Sequence, residues 1–221
     1  MQYLGGKWAA RNRIAAHVLS HGLPVFEPFV GGANLPHLWP AGSLCADVDA
    51  GLIDLYRKVQ AEGVDWIPEV CTEAEYRESM ARTDERPIDT FRLVACSFGG
   101  KKRGGYARNT QGRNYARQGR NSLKRLIGLD VQFHALDFLT LAPFGGCVLY
   151  CDPPYAATTG YKSGAFDHGR FVARVREWSR FCPVYVSEYE PLEPSWVECD
   201  ITHNKPGATL AKKHDRLFLV R

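Results

Sequence analysis

An α/β fold on a largely parallel sheet is the class this sequence predicts, and three observations predict it. Short apolar runs alternate with segments of helical apolar spacing along most of the 221 residues. Glycine-rich or acidic residues come directly after three of the apolar runs, as Gly31–Gly32, Asp47 and Asp152. Two short strand-like runs then close the chain near each other, which points to an antiparallel finish on a parallel-rich sheet.

The elements follow in order. Trp8 to Leu19 has the apolar spacing of a helix, Pro24 to Val30 reads as a short strand, and Leu44 to Asp47 as another. An amphipathic helix is expected from Ala50 to about Glu62, with further helices near Glu73 to Arg82 and Ile88 to Phe98. Strands are expected at Val131 to Ala135 and, more strongly, at Cys147 to Cys151. A helix from about His168 to Phe181 leads to strands at Val184 to Ser187, Val197 to Ile201 and Leu217 to Val220. Repeats and low-complexity segments are absent, and residues 62–125 are the one candidate for a separate module, inside a catalytic domain of 1–61 and 126–221.

Composition sets the class of protein. With 45% hydrophobic and 12% aromatic residues, the chain can bury one substantial core. No apolar run approaches the roughly 20 residues of a membrane helix, and MQYLGGKWAARNR lacks the apolar centre of a signal peptide, so no membrane partner and a cytoplasmic setting are expected. The seven cysteines are scattered, with no CxxC pair or neighbouring histidine cluster. They therefore suggest neither a disulfide framework nor a zinc site, and several read as small buried hydrophobes of a reducing compartment.

A net charge of +4 identifies no partner, but its distribution is uneven. From Lys101 to Arg125 the chain carries Lys101, Lys102, Arg103, Arg108, Arg113, Arg117, Arg120, Lys124 and Arg125 with no acidic residue, whereas Glu62 to Glu85 is acidic overall. Such a block is often a solvated loop. Here Tyr106 and Tyr115 are interleaved with the charges and Gly, Asn and Gln fill the gaps. Arginine and lysine neutralise phosphates, aromatic rings stack on unpaired bases, and amide and guanidinium groups read base edges, so nucleic-acid contact is the preferred reading.

In an open α/β sheet, ligands lie beyond the carboxyl ends of the strands, which directs attention to three places. In VFEPFVGGAN, Gly31 and Gly32 permit a tight turn and close approach to the backbone, although an ordinary βα loop would look the same. In CADVD, Asp47 is placed to accept hydrogen bonds from a ribose, or else it caps the next helix, a role Asp49 could equally fill. In CDPPYAAT, Asp152 to Tyr155 could simply stop a strand, since proline ends strands and aspartate favours turns.

Taken together in this order, the motifs resemble the Dam-type (D12 class, alpha group) adenine-specific DNA methyltransferases, which use S-adenosylmethionine. YLGGKW at 3–8 is similar to the family's N-terminal motif, FEPFVGGAN at 26–34 to its donor loop, ADVDAGLIDLY at 46–56 to its ribose segment, and DPPY at 152–155 to its catalytic motif. VYVSEYE at 184–190 sits where the strand after the catalytic helix belongs, and the basic block occupies the place of the target-recognition region. The resemblance implies a Rossmann-like, seven-stranded class I methyltransferase sheet with its last strand antiparallel and a small target-recognition insertion. It implies that Tyr3, Lys7, Phe29, Gly31, Asp47 and Asp152 bind S-adenosylmethionine, and that Asp152, Pro153, Pro154 and Tyr155 are catalytic. Duplex DNA would be held by Lys101, Lys102, Arg103, Tyr106, Arg108, Arg113, Tyr115, Arg117 and Arg120. No metal is implied. The setting would be a bacterial or phage-infected cell and the protein a monomer, or at most a weak dimer.

The implied chemistry suits DPPY. The lone pair of an adenine amino group is delocalised into the ring, so the nitrogen is a poor nucleophile. The Asp152 carboxylate and the Pro153 carbonyl can accept its two N–H bonds and favour a pyramidal nitrogen whose lone pair is directed at the methyl group. The prolines fix the turn and have no N–H to offer, while Tyr155 can stack on a base extruded from the duplex. The chain departs from the family pattern where Ala33 and Asn34 follow the glycines, where Tyr3 replaces a common tryptophan, in a short recognition region, and at Glu188. Methylation of cytosine N4 by the same motif, and a DNA-binding protein with a vestigial site, stay open as alternatives.

Overall fold

A computed structural model of the chain describes residues 1–108, 112–156, 166–202 and 215–221. Its centre is a seven-stranded sheet of strands β1 (Val25–Glu27), β2 (Ser43–Asp47), β3 (Val131–Ala135), β4 (Val148–Cys151), β5 (Val184–Glu188), β6 (Val197–Thr202) and β7 (Asp215–Leu219). The strands lie in the order β3-β2-β1-β4-β5-β7-β6. The first five are parallel to their neighbours, and β7 is inserted antiparallel between β5 and β6. This is the sheet, last strand included, that the sequence led us to expect.

Helices α1 (Arg11–Val18), α2 (Ala50–Glu62), α3 (Glu73–Ala81), α4 (Pro87–Ala95), α5 (Tyr115–Leu123) and α6 (His168–Trp178) cover the sheet. Strand alternation divides the core in two. Val25, Cys45, Phe133, Tyr150 and Tyr185 point to the side that packs with α1, α2, α4 and α5. Phe26, Ala46, Leu149, Cys151, Val184 and Val186 point to the side covered by α6 through Phe171, Val175 and Trp178. Strands β1, β4 and β5 are buried at every residue, which is why they read as continuous apolar runs rather than alternating ones.

Several element ends shift by two or three residues from expectation, and two differences have a clear local cause. Strand β1 stops at Glu27 rather than Val30, because Pro28 has no N–H for the ladder. Helix α5 lies inside the basic block, where only charge was read. Asn114 caps it by accepting from the Arg117 amide at 2.9 Å, and Ala116, Gly119 and Leu123 are its buried face. A Cβ on Gly119 would come within 2.7 Å of the Ala95 Cβ, so the glycine lets α5 approach α4 closely. Buried residues of α3 to α5 belong to the same apolar cluster as α2 and the sheet, which places these three helices as a layer with α2.

Candidate functional site

Parallel strands bring their carboxyl ends to one edge of the sheet, and there β1, β2, β4 and β5 deliver the Gly31 turn, Asp47, Asp152 and Glu188. Beyond the end of β1, Gly31 takes a left-handed conformation, φ +45°. Its amide donates to Asp47 Oδ2 at 2.9 Å, and its carbonyl accepts from the buried Tyr56 hydroxyl. Asp47 Oδ1 accepts from the Asp49 amide at 3.0 Å. Asp49 in turn caps α2, accepting from the Gly51 and Leu52 amides at 3.1 and 3.4 Å. The structure thus divides the roles the sequence left open: Asp49 is the cap, and Asp47 is freed to organise the glycine turn.

Burial pushes the Asp47 carboxyl up to about 6, against the pull of the Asp49 and Gly31 amides. Each of its oxygens retains acceptor capacity beyond the bond it makes. Tyr3 lies across the turn: a Cβ on Gly32 would come within 2.5 Å of the Tyr3 Cβ, and one on Gly31 within 3.0 Å of its ring. The N-terminal motif is held in place by the Leu4 amide, which donates to the Gly100 carbonyl at 3.1 Å. The Phe29 ring packs 5.7 to 5.9 Å from those of Phe138, Phe166 and Phe171.

The DPPY motif follows β4 directly. Lys7, 4% exposed, pairs with Asp152 Oδ1 at 2.8 Å and donates to the Gly5 carbonyl at 2.8 Å. The same ammonium stands 4.7 Å from the Tyr155 ring centroid, while Tyr189 meets that ring edge-on at 4.6 Å. Lys7 was expected against the donor, and the structure brings it to the carboxylate that DPPY presents. Burial pushes Asp152 up to about 6, and Lys7 is the main influence pulling it back. His168 Nε2–H donates to the Pro154 carbonyl at 2.9 Å, so the Pro153 carbonyl is not the one this contact uses.

Glu188, for which the sequence offered no role, is 2% exposed at the end of β5. It accepts from the Ala156 amide at 2.6 Å and from the Tyr189 amide at 2.6 Å. One carboxylate therefore fixes both the exit of DPPY and the backbone of the residue whose ring meets Tyr155. The signal was available, since an acidic residue directly after a buried strand was the rule that picked out Asp47. The same rule passes over Glu27, which ends β1 fully buried and accepts from Trp39 Nε1 at 2.6 Å; burial pushes its carboxyl up to about 8. Asp137, just past β3, holds the Leu139 amide at 2.9 Å and completes the acidic edge.

The basic block lies against the acidic stretch that precedes it. Lys102 pairs with Asp49 at 2.8 Å and Glu85 at 2.6 Å, and Arg103 with Glu85 at 3.0 Å. Arg108 pairs with Glu73 at 2.8 Å, Arg117 with Glu69 at 3.1 Å, and Arg120 with Asp65 at 2.7 Å. Tyr106 donates to the Cys71 carbonyl at 2.7 Å, and Tyr115 opens α5. Lys101 is half-buried and has no ion pair among the described residues, while Arg113 sits just before α5. The charges that looked like a phosphate-facing run are thus largely matched within the protein. No group of three or more potential ligands able to hold a metal is present among the described residues, and none of their helices is long and apolar enough to cross a membrane.

No family model and no curated protein matches the chain. Among solved structures, the chain is similar to the rRNA methyltransferase AviRa from Streptomyces viridochromogenes, with 14% identity over 95% of this chain and 84% of that one, at a TM-score of 0.41. It is similar also to the putative methyltransferase YhhF from Escherichia coli, with 10% identity over 99% of this chain and 97% of that one, at a TM-score of 0.38. At such TM-scores neither likeness bears on activity, which has to be read from the site.

Proposed function

We propose that this protein transfers a methyl group from S-adenosylmethionine to the N6 amino group of adenine in duplex DNA, with the target base turned out of the helix. The observation that carries the reading is the placement of Asp152: a half-buried carboxylate paired with a buried lysine at the end of β4, on the same sheet edge as the glycine turn that Asp47 organises. Gly31, Gly32, Tyr3 and Asp47 fit a donor whose ribose offers hydroxyls and whose approach requires a turn without side chains. The bound donor supplies an electrophilic methyl group.

The chain's own residues do the rest. At neutral pH Asp152 is ionised, so it can only accept, and an amine N–H is a suitable donor to it. The adjacent Pro153 carbonyl supplies a second acceptor, which orients the amine and withdraws its lone pair from the ring. Lys7 holds the carboxylate in place, and Glu188 with His168 holds the loop that carries it. A base that stacks on Tyr155 has to displace Lys7 from above the ring, which couples base entry to the Lys7–Asp152 pair. The test is transfer of labelled methyl from S-adenosylmethionine to unmethylated duplex DNA, followed by digestion to nucleosides. N6-methyl-2'-deoxyadenosine is expected; labelled N4-methyl-2'-deoxycytidine would move the target to cytosine N4, and no labelled nucleoside on any sequence would leave a vestigial site.

A further inference from the structure

Positive charge without an internal carboxylate collects at a second place, next to the site lysine. Trp8 follows Lys7 in the chain; Lys7 is 4% exposed, whereas Trp8 is 42% exposed. The guanidinium carbon of Arg11 stands 3.6 Å from the Trp8 ring centroid, and that of Arg125 stands 4.1 Å from it. His37 stacks on the same indole, with centroids 5.9 Å apart and planes 27° apart. These side chains come from three stretches: the entry to α1, the short turn Pro36–Leu38 after the glycine loop, and the turn Lys124–Leu126 that ends the basic block.

Among the described residues no carboxylate pairs with Arg11 or Arg125, and the first turn of α1 contains no acidic residue. Arg125 Nε and His37 Nδ1 are buried and have no hydrogen-bond partner among the described residues. Burial, then Arg11, lowers the affinity of Arg125 for its proton, and burial, Arg125 and Arg11 do the same to His37. The contrast is with Arg108, Arg117 and Arg120, each matched by a glutamate or aspartate. Two guanidiniums gathered on an exposed indole repel one another, and an external anion relieves that repulsion.

We infer that Trp8, Arg11 and Arg125 form a contact for the sugar–phosphate backbone of the DNA strand whose base enters the Asp152 site. Arginine neutralises phosphates as a planar donor fork, and an exposed indole gives the sugar or an unstacked base an apolar face. Trp8 directly follows Lys7, whose ammonium pairs with Asp152, so the patch sits on the same N-terminal segment that reaches the site. The identity of the strand as DNA rests on the proposed function; the anion-binding character does not.

The test is binding of a fluorescently labelled duplex across a salt series. Arg11→Gln and Arg125→Gln should each weaken binding and lower the slope of log affinity against log salt by about 1. Trp8→Ala should weaken binding while leaving the slope unchanged. Arg11→Glu keeps the fold testable should Arg125→Gln unfold, because a carboxylate in the first turn is favoured by the helix dipole; it should lower the slope by more than Arg11→Gln does. Arg108→Ala and Arg117→Ala, which lose matched charges, should lower it less. An unchanged slope in folded Arg11 variants, or a slope carried by Arg108 and Arg117 instead, overturns the inference. Binding needs no transfer, so a patch-dependent slope with no methylated nucleoside would sink the proposed function alone.

Discussion

At the scale of residues, the site is a set of buried and half-buried carboxylates held by specific donors, and pH is the direct handle on them. Asp152 rises from 3.8 to about 6 in the fold, so in that window the folded state binds a proton the unfolded state lacks. Stability contributed by the group therefore falls as pH rises through the window, while the acceptor needed for transfer appears. Transfer should climb with pH around an apparent value near 6 and level off above it, measured as single-turnover rate against pH. Glu27 follows the same sign over a wider window, from 4.5 to about 8. Its burial lowers stability by up to about 1.4 kcal/mol per pH unit there. Glu27→Gln, which can still accept from Trp39, should flatten the dependence of denaturation midpoint on pH between those values. A midpoint curve unchanged from the parent would show that Glu27 does not titrate in this window.

At the scale of elements, the loops after β1, β4 and β5 are locked by a few bonds each. Glu188→Ala removes the acceptor of the Ala156 and Tyr189 amides, two part-buried hydrogen bonds to a carboxylate that together contribute roughly 1–3 kcal/mol. We expect a fall in transfer rate larger than any change in donor affinity, checked by comparing kcat with donor Kd. Equal loss of both would make Glu188 a general support of the fold. Gly32→Ala should act on the donor side instead, because its Cβ meets Tyr3 at 2.5 Å and forces the N-terminal motif off the turn. Weaker donor binding by calorimetry, with the sheet intact by circular dichroism, is the expected outcome.

Much at this scale was legible. The runs that became β1, β4 and β5 are apolar because both their faces are buried, and the acid that ends β2 and the DPPY after β4 stood out because each closes a strand at the same sheet edge. Pairing across the chain was not legible. Nothing near Lys7 in sequence says that it meets Asp152, since the contact needs the N-terminal segment anchored at Gly32 and Gly100 as well as β1 and β4 side by side. Helix α5 was hidden because its buried face is small residues and one leucine, a weak periodic signal among eye-catching charges.

At the scale of the whole molecule, the acidic stretch and the basic block that looked like separate features are two sides of one helical layer. Their ion pairs are mostly solvent-exposed, so each stabilises the fold by only about 0–1 kcal/mol. Raising salt should therefore shift the thermal midpoint little while weakening DNA binding strongly, and a large fall in midpoint would mean the network holds the layer together. Charge counted along a sequence does not reveal whether its partner is inside or outside the molecule.

The central claim is that the Asp152 carboxylate is the acceptor that activates the amine. Asp152→Asn keeps the shape of the side chain and replaces one acceptor oxygen with a donor, so it measures that claim most directly in a single-turnover transfer assay on duplex DNA, with donor Kd measured alongside. We predict a loss of about 100-fold or more in the transfer rate, with donor binding within a few-fold of the parent. A variant that binds the donor as the parent does and transfers methyl at the parent's rate would contradict the account.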